Sequence, residues 1–208
     1  PLLRRRRAAE LGVQMMRSLQ EIPKPTICTI HGIATGGAAC IASACDFRIA
    51  AEDARIGYGE VKIGMNLMWN ALPVCVHLVG PARAKQMIMS GKLYNAGVLE
   101  SWGFLDEVVP AAALHARAQE LAQEYAALPP IPVQMIKRSV NMVSGALDRA
   151  LTHMDADQWL LPSLSDDFRE ATAAFLENRK PTLPGPCQPQ PGCSPGASTG
   201  SRPRLRCP

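Results

Sequence analysis

The chain lacks several of the features by which function is most often read from sequence. No apolar run reaches the roughly 18 residues of a membrane-crossing helix, and no signal peptide is visible. There are seven cysteines, but no CxxC and no Cys/His pair with zinc-ligand spacing, so no metal site is expected. Cys28, Cys40, Cys45 and Cys75 instead lie in apolar or small-residue runs. They read as small buried hydrophobes of a reducing compartment, the cytoplasm or the mitochondrial matrix. Neither GxxxxGK[ST] nor GxGxxG occurs, which removes the two commonest phosphate cradles. A basic body is missing as well. Arg4 to Arg7 with Arg202, Arg204 and Arg206 carry seven positive charges, and taking them from the net +4 leaves the body at −3. Nucleic acid is therefore not an expected partner, nor is a membrane. The arginine run continues into Ala8-Ala9-Glu10-Leu11 and reads as helix.

What remains is a chain of 208 residues, 47% hydrophobic, long enough for one globular domain with a real core. Leu11, Met15, Leu19 and Ile22 recur at helical spacing and predict a helix over 8–21, stopped by the prolines at 23 and 25. Residues 26–30 are a β-branched run expected to form a buried strand, and 46–50 a second strand. Between them, the small residues from Gly36 to Cys45 suit a short helix packed close to its neighbours. Asn70 to Val79 predicts a helix ended by Gly80, and Pro81 opens another as far as Ser90. Strand, turn, helix and strand in this order give an α/β architecture with crossover connections over 1–110. From Ala111 to 181 the pattern is helical, with candidates at 114–128, 133–144, 147–159 and 165–178. Phe168, Thr172, Phe175 and Leu176 give the last an apolar stripe, which fits another subunit or the chain's own core equally well. Residues 182–208 are rich in Pro, Gly and Ser without a periodic apolar face, and are expected to be disordered.

The densest cluster of small residues, HGIATGGAACIASACD at 31–46, is where chemistry is expected. A strand enters, glycines allow close approach, and the N–H groups of a new helix face outward to an anionic oxygen. Backbone alone can build an oxyanion hole in this way. A purely structural glycine turn has the same spacing, and that alternative stays open here. A Ser43, His31 and Asp46 triad has no common focus, since the three fall on a helix, a turn and a strand start. Asp46 is expected to cap a backbone turn.

A wider pattern adds to this. Lys24-Pro25, HGIATGGAACIASACDFRIA, EDARIGYGEVKIG, Gly91-Lys92 to Ala96, GFLDEVV and FLENRKP follow one another over about residues 10–181. The set resembles the crotonase superfamily, the enoyl-CoA hydratase/isomerase family. The resemblance implies a spiral of ββα repeats followed by a helical trimerisation region, hence a homotrimer or hexamer. It implies an acyl-CoA thioester as substrate, with coenzyme A part of that substrate and no separate cofactor. Carried over by position, Gly37 takes the place of the second oxyanion donor and Glu60 that of the family's second glutamate. The first glutamate falls on Cys40, which has no cationic neighbour in the sequence to activate it and reads as a neutral pocket wall. Ala34 and Gly36 would flank the thioester, and Met68 and Trp69, with Met65 and Leu67, would line the acyl group or simply fill core. Lys180 or Arg179 matches the cation that approaches the coenzyme A phosphates. The first oxyanion donor belongs to an A-x-S-A-G-x-D-like segment expected upstream of Pro1, so the chain reads as N-terminally truncated. A single carboxylate fits isomerisation better than hydration, with a hydratase or an idle coenzyme A binder as the alternatives.

Overall fold

The chain opens with a long helix, α1 (Leu2–Gln20), which carries the arginine run inside it. A computed structural model describes residues 2–183; the expected disorder of 182–208 falls, beyond residue 183, outside the described residues. Two ββα units follow α1. The first is β1 (Ile27–Ile30), β2 (Ile33–Thr35) and α2 (Gly37–Ala44); the second is β3 (Phe47–Ala51), β4 (Arg55–Gly57), a 3₁₀ turn at Glu60–Ile63 and α3 (Ala71–Ser90). Then come β5 (Tyr94–Asn95), α4 (Ala96–Ser101) and β6 (Glu107–Val109). Five more helices complete the described chain: α5 (Leu114–Ala126), α6 (Pro130–Ser144), α7 (Arg149–Thr152), α8 (Asp155–Leu160) and α9 (Asp166–Leu176). The architecture is α/β, as expected.

The strands form two small sheets. One has the order β1-β3-β6, all parallel; the other has the order β2-β4-β5, with β2 parallel and β5 antiparallel to β4. Parallel neighbours need crossovers, and α2 and α3 supply them. The core between these layers holds Met16, Ile56, Tyr58, Met87, Leu99 and Phe104. Arg48 of β3 is buried as well, donating to the carbonyls of Cys45, Asp46 and Phe104 and to Asp106 Oδ2. A buried guanidinium with its donors satisfied holds β3 to the chain after α4.

Gly80 breaks α3 at φ 78°, ψ 163°, and Pro81 starts the second half. This is the helix end and restart that the sequence predicts. Other expectations need correction. The first helix starts at Leu2 rather than at 8, because Arg5 and Arg6 are anchored: Arg5 donates to Ser163 Oγ and lies 5.5 Å from the Trp159 ring centroid, and Arg6 pairs with Asp157 and Glu10. Its buried face centres on Ala9 and Met16, flanked by Met15 and Leu19, while Leu11 is 64% exposed. The face is rotated because Gly12, not Leu11, meets the neighbouring Trp69. β1 is only partly buried, since it lies at the edge of its sheet among the described residues. The helix expected over 147–159 is broken into α7 and α8, with Asp155 drawn toward the backbone before α3. In α9 the buried residues are Ala171 and Ala174, whereas Phe175 and Leu176 face outward.

Candidate active site

Backbone register builds this site. In the parallel β2–β4 pair, Thr35 lies opposite Gly57. The segments leaving the two strands are therefore neighbours, and Gly36-Gly37 comes beside Tyr58-Gly59-Glu60. The N–H of Gly36 donates to the Gly57 carbonyl at 3.3 Å, and the N–H of Cys40 to the Gly36 carbonyl at 3.0 Å. Gly36 has φ 57° and ψ −126°, a conformation open essentially to glycine alone. Gly37 then opens α2, and no side chain caps that helix start. Its first N–H groups consequently have no partner within the helix.

Glu60 is the first residue of the 3₁₀ turn, and its carbonyl accepts from Met65 N at 3.0 Å. The carboxylate lies over Gly36, so close that a Cβ placed there would sit 3.3 Å from Oε1. Its Oε2 is buried without a hydrogen-bond partner among the described residues. Burial pushes the Glu60 carboxyl above the ordinary carboxylate range, opposed only by a backbone hydrogen bond. α9 packs against the same 3₁₀ turn; a Cβ at Gly64 would lie 2.8 Å from the Phe168 Cα. Gly37 has a different neighbour: a Cβ added to it would stand 2.8 and 2.9 Å from Cζ3 and Cη2 of Trp69. One glycine of the pair thus faces the carboxylate and the other an indole.

Cys40 lies one turn into α2 and is buried. Burial raises its thiol above the ordinary range, and the charges of Glu60 and then Asp155 raise it further. It is a neutral group within the field of two carboxylates. Asp155 was not legible as a site residue, because no motif surrounds it. It reaches the site from 86 residues away along the chain, accepting from Trp69 N at 2.8 Å and from Asn70 N at 3.1 Å.

The structure thus brings together Gly36, Gly37, Cys40, Glu60 and Trp69. Ala34 is buried on β2 opposite Ile56, directly before the turn. Leu67 belongs to the core, and Met68 is half-buried with its carbonyl accepting from Ala71 N. Lys180 does not join the cluster: it is exposed beyond α9, and among the described residues its ammonium makes no hydrogen bond. Arg179 is engaged by Glu170 and Glu177. Ser43 donates to the Cys40 carbonyl, Asp46 accepts from Thr26 and Lys137, and His31 is exposed, so these three share no focus. Cavities of about 580 to 640 Å³ run along α6, and neither Glu60 nor Gly37 lines them.

Residues 7–186 match the family described as Enoyl-CoA hydratase/isomerase. The chain is 34% identical over 174 residues to Enoyl-CoA isomerase/hydratase fer4 of Mycosarcoma maydis, covering 82% of this chain and 63% of that protein. It is 32% identical over 171 residues to crotonyl-CoA hydratase of Syntrophomonas wolfei subsp. wolfei, covering 82% and 65%. Among solved structures, an enoyl-CoA hydratase from Mycobacterium avium subsp. paratuberculosis K-10 superposes with a TM-score of 0.80 at 25% identity, covering 83% of this chain and 70% of that one. Carnitinyl-CoA hydratase from Mycobacterium avium gives 0.73 at 30% identity, covering 78% and 63%. The chain spans 63 to 65% of the length of the first curated relatives it matches.

Proposed function

From its membership of the enoyl-CoA hydratase/isomerase family, we propose that the chain acts on an acyl-CoA thioester through an enolate, with Glu60 as the single acid–base group and double-bond isomerisation as the reaction. The Gly37 N–H donates to the thioester oxygen as negative charge develops on it. Glu60 takes the α-proton of a 3-enoyl thioester, the electron pair moves into the dienolate, and the same carboxyl returns the proton to the γ-carbon. The product is the conjugated 2-enoyl thioester. A base that takes and returns one proton needs no second carboxylate, whereas two carboxylates are the simplest way to hold a water for addition.

The observation that supports this reading is the disposition of the carboxylates around Cys40. Glu60 has a buried oxygen without a partner beside Gly36. Asp155, the other carboxylate acting on Cys40, has each oxygen committed to a backbone N–H. One carboxylate is free to move a proton, and the other is already occupied. The raised pKa of Glu60 favours the same role, since a stronger base removes an α-proton more readily.

Glu60→Gln is the test. The amide keeps the shape but accepts no proton. It is expected to abolish exchange of the α-proton of a bound acyl-CoA while leaving binding nearly intact, and Cys40→Ala is expected to leave exchange in place. Efficient hydration of a 2-enoyl-CoA by the unmodified protein would favour the hydratase reading instead. Binding without exchange in the unmodified protein would favour the idle binder.

A further inference from the structure

We infer that Asp155 is a positioning residue: its carboxylate holds the Trp69–Asn70 turn in the form that lays the indole against Gly37, fixing the wall that an acyl group meets beside the thioester. The second half of that statement rests on the reading of Gly37 as the oxyanion donor. The first half stands on geometry alone.

Trp69 and Asn70 are consecutive residues with φ of 65° and 58°. Side chains other than glycine's rarely adopt that region, and a β-carbon crowds the following carbonyl there. Two such residues in succession persist only where their surroundings impose the conformation. Asp155 is the group that does so here. Its two oxygens divide the pair between them, Oδ2 taking Trp69 N at 2.8 Å and Oδ1 taking Asn70 N at 3.1 Å. Successive N–H groups converging on one anion form a concave site of the kind that binds carboxylates, and the start of α3 directly behind favours negative charge further.

The indole seat confirms how narrow the alternatives are. A Cβ at Gly12 of α1 would overlap the pyrrole ring, and one at Gly37 would press on the six-membered ring at 2.8 Å. Both neighbours must be glycine for the ring to lie where it does. Asp155 is itself anchored, because α8 packs on α1 and Asp157, two residues further, pairs with Arg6. The C-terminal helices thereby hold one wall of a site whose other parts come from the first 60 residues.

The chain has three tryptophans, so Trp102→Phe with Trp159→Phe leaves Trp69 as the sole indole emitter. In that background Asp155→Ala is expected to shift Trp69 emission to the red and to raise its quenching by acrylamide, with helical circular dichroism retained. Asp155→Asn is nearly the same size and tests the case where the alanine variant fails to fold. Its amide retains one acceptor but sets N–H groups against the second backbone N–H, so a smaller shift in the same direction is expected. Unchanged Trp69 emission and quenching in folded Asp155→Asn would overturn the inference. Butyryl-CoA titrated into the same background separates the two halves of the statement. A Trp69 response to butyryl-CoA that Asp155→Asn weakens supports both. If Asp155→Asn moves the indole but butyryl-CoA does not perturb it, the positioning stands and the acyl wall falls. If butyryl-CoA perturbs Trp69 equally in both forms, Asp155 does not set the wall.

Discussion

Glu60 carries two demands that oppose each other. Its burial raises the carboxyl pKa, so the folded chain holds the proton more tightly than the unfolded chain does. Stability therefore falls as pH rises from the ordinary carboxylate value through the raised one, because ionising a desolvated group works against folding. Glu60→Gln removes that penalty. It is expected to raise the melting temperature at neutral pH, with the gain shrinking at acidic pH, as thermal melts across the pH range would show. A variant stabler at every pH by the same amount would place the cause elsewhere. Gly37 gives a sharper test of geometry. A valine there would drive a branched side chain into Trp69, whose ring already lies 2.8 Å from the Cβ position. Losing one oxyanion donor typically costs roughly 10²–10³ in turnover, and acyl-CoA turnover by Gly37→Val is expected to fall by that order. At this scale Gly36, Gly37 and Glu60 were legible because short motifs carry them. Asp155 was not, because nothing local marks a residue whose partners lie 86 positions away.

Among the elements, the clearest reading was the stop and restart in α3. Glycine followed by proline is a strong local signal, and no tertiary contact competes with it, for nothing lies within 4 Å of a Cβ at Gly80. That open space makes a useful experiment. Gly80→Ala meets no steric obstacle, so any loss reports the backbone conformation alone, φ 78° and ψ 163°. A cost of about 1–3 kcal/mol is expected for a non-glycine residue in such a region. For a chain of this size that is a fall in melting temperature of roughly 2–12 °C. A melt unchanged within error would mean that the break relaxes into continuous helix. The short strands were harder to read. β2, β4, β5 and β6 have only two or three residues each, too few for alternation to register. Yet β2 and β4 fix the site, because their parallel pairing aligns the two turns. The break between α7 and α8 was also illegible, since it follows from where Asp155 must reach and not from any breaker in the sequence.

The described chain leaves one long helix without a buried residue. α6 exposes Ile131, Met135, Ile136, Val140, Met142 and Val143, and is held to the body by polar contacts such as Lys137 Nζ with the Lys24 carbonyl and Asp46. Phe175 and Leu176 of α9 are exposed as well, so the helical C-terminal region presents a series of large apolar side chains to its surface. Assembly through this region into a trimer or hexamer is the expected outcome, measured by light scattering on a chain ending at Pro181. A clean monomer at micromolar concentration would contradict it. The same region also reaches the candidate site. Helices that bury little open at lower free energy than the sheets beneath them, and α9 buries only Ala171 and Ala174. α9 packs on the 3₁₀ turn that begins with Glu60, so an opening of α9 takes away one of that turn's supports. The residue read as the base, in the first third of the chain, thus rests on a turn propped from near the end of the described chain.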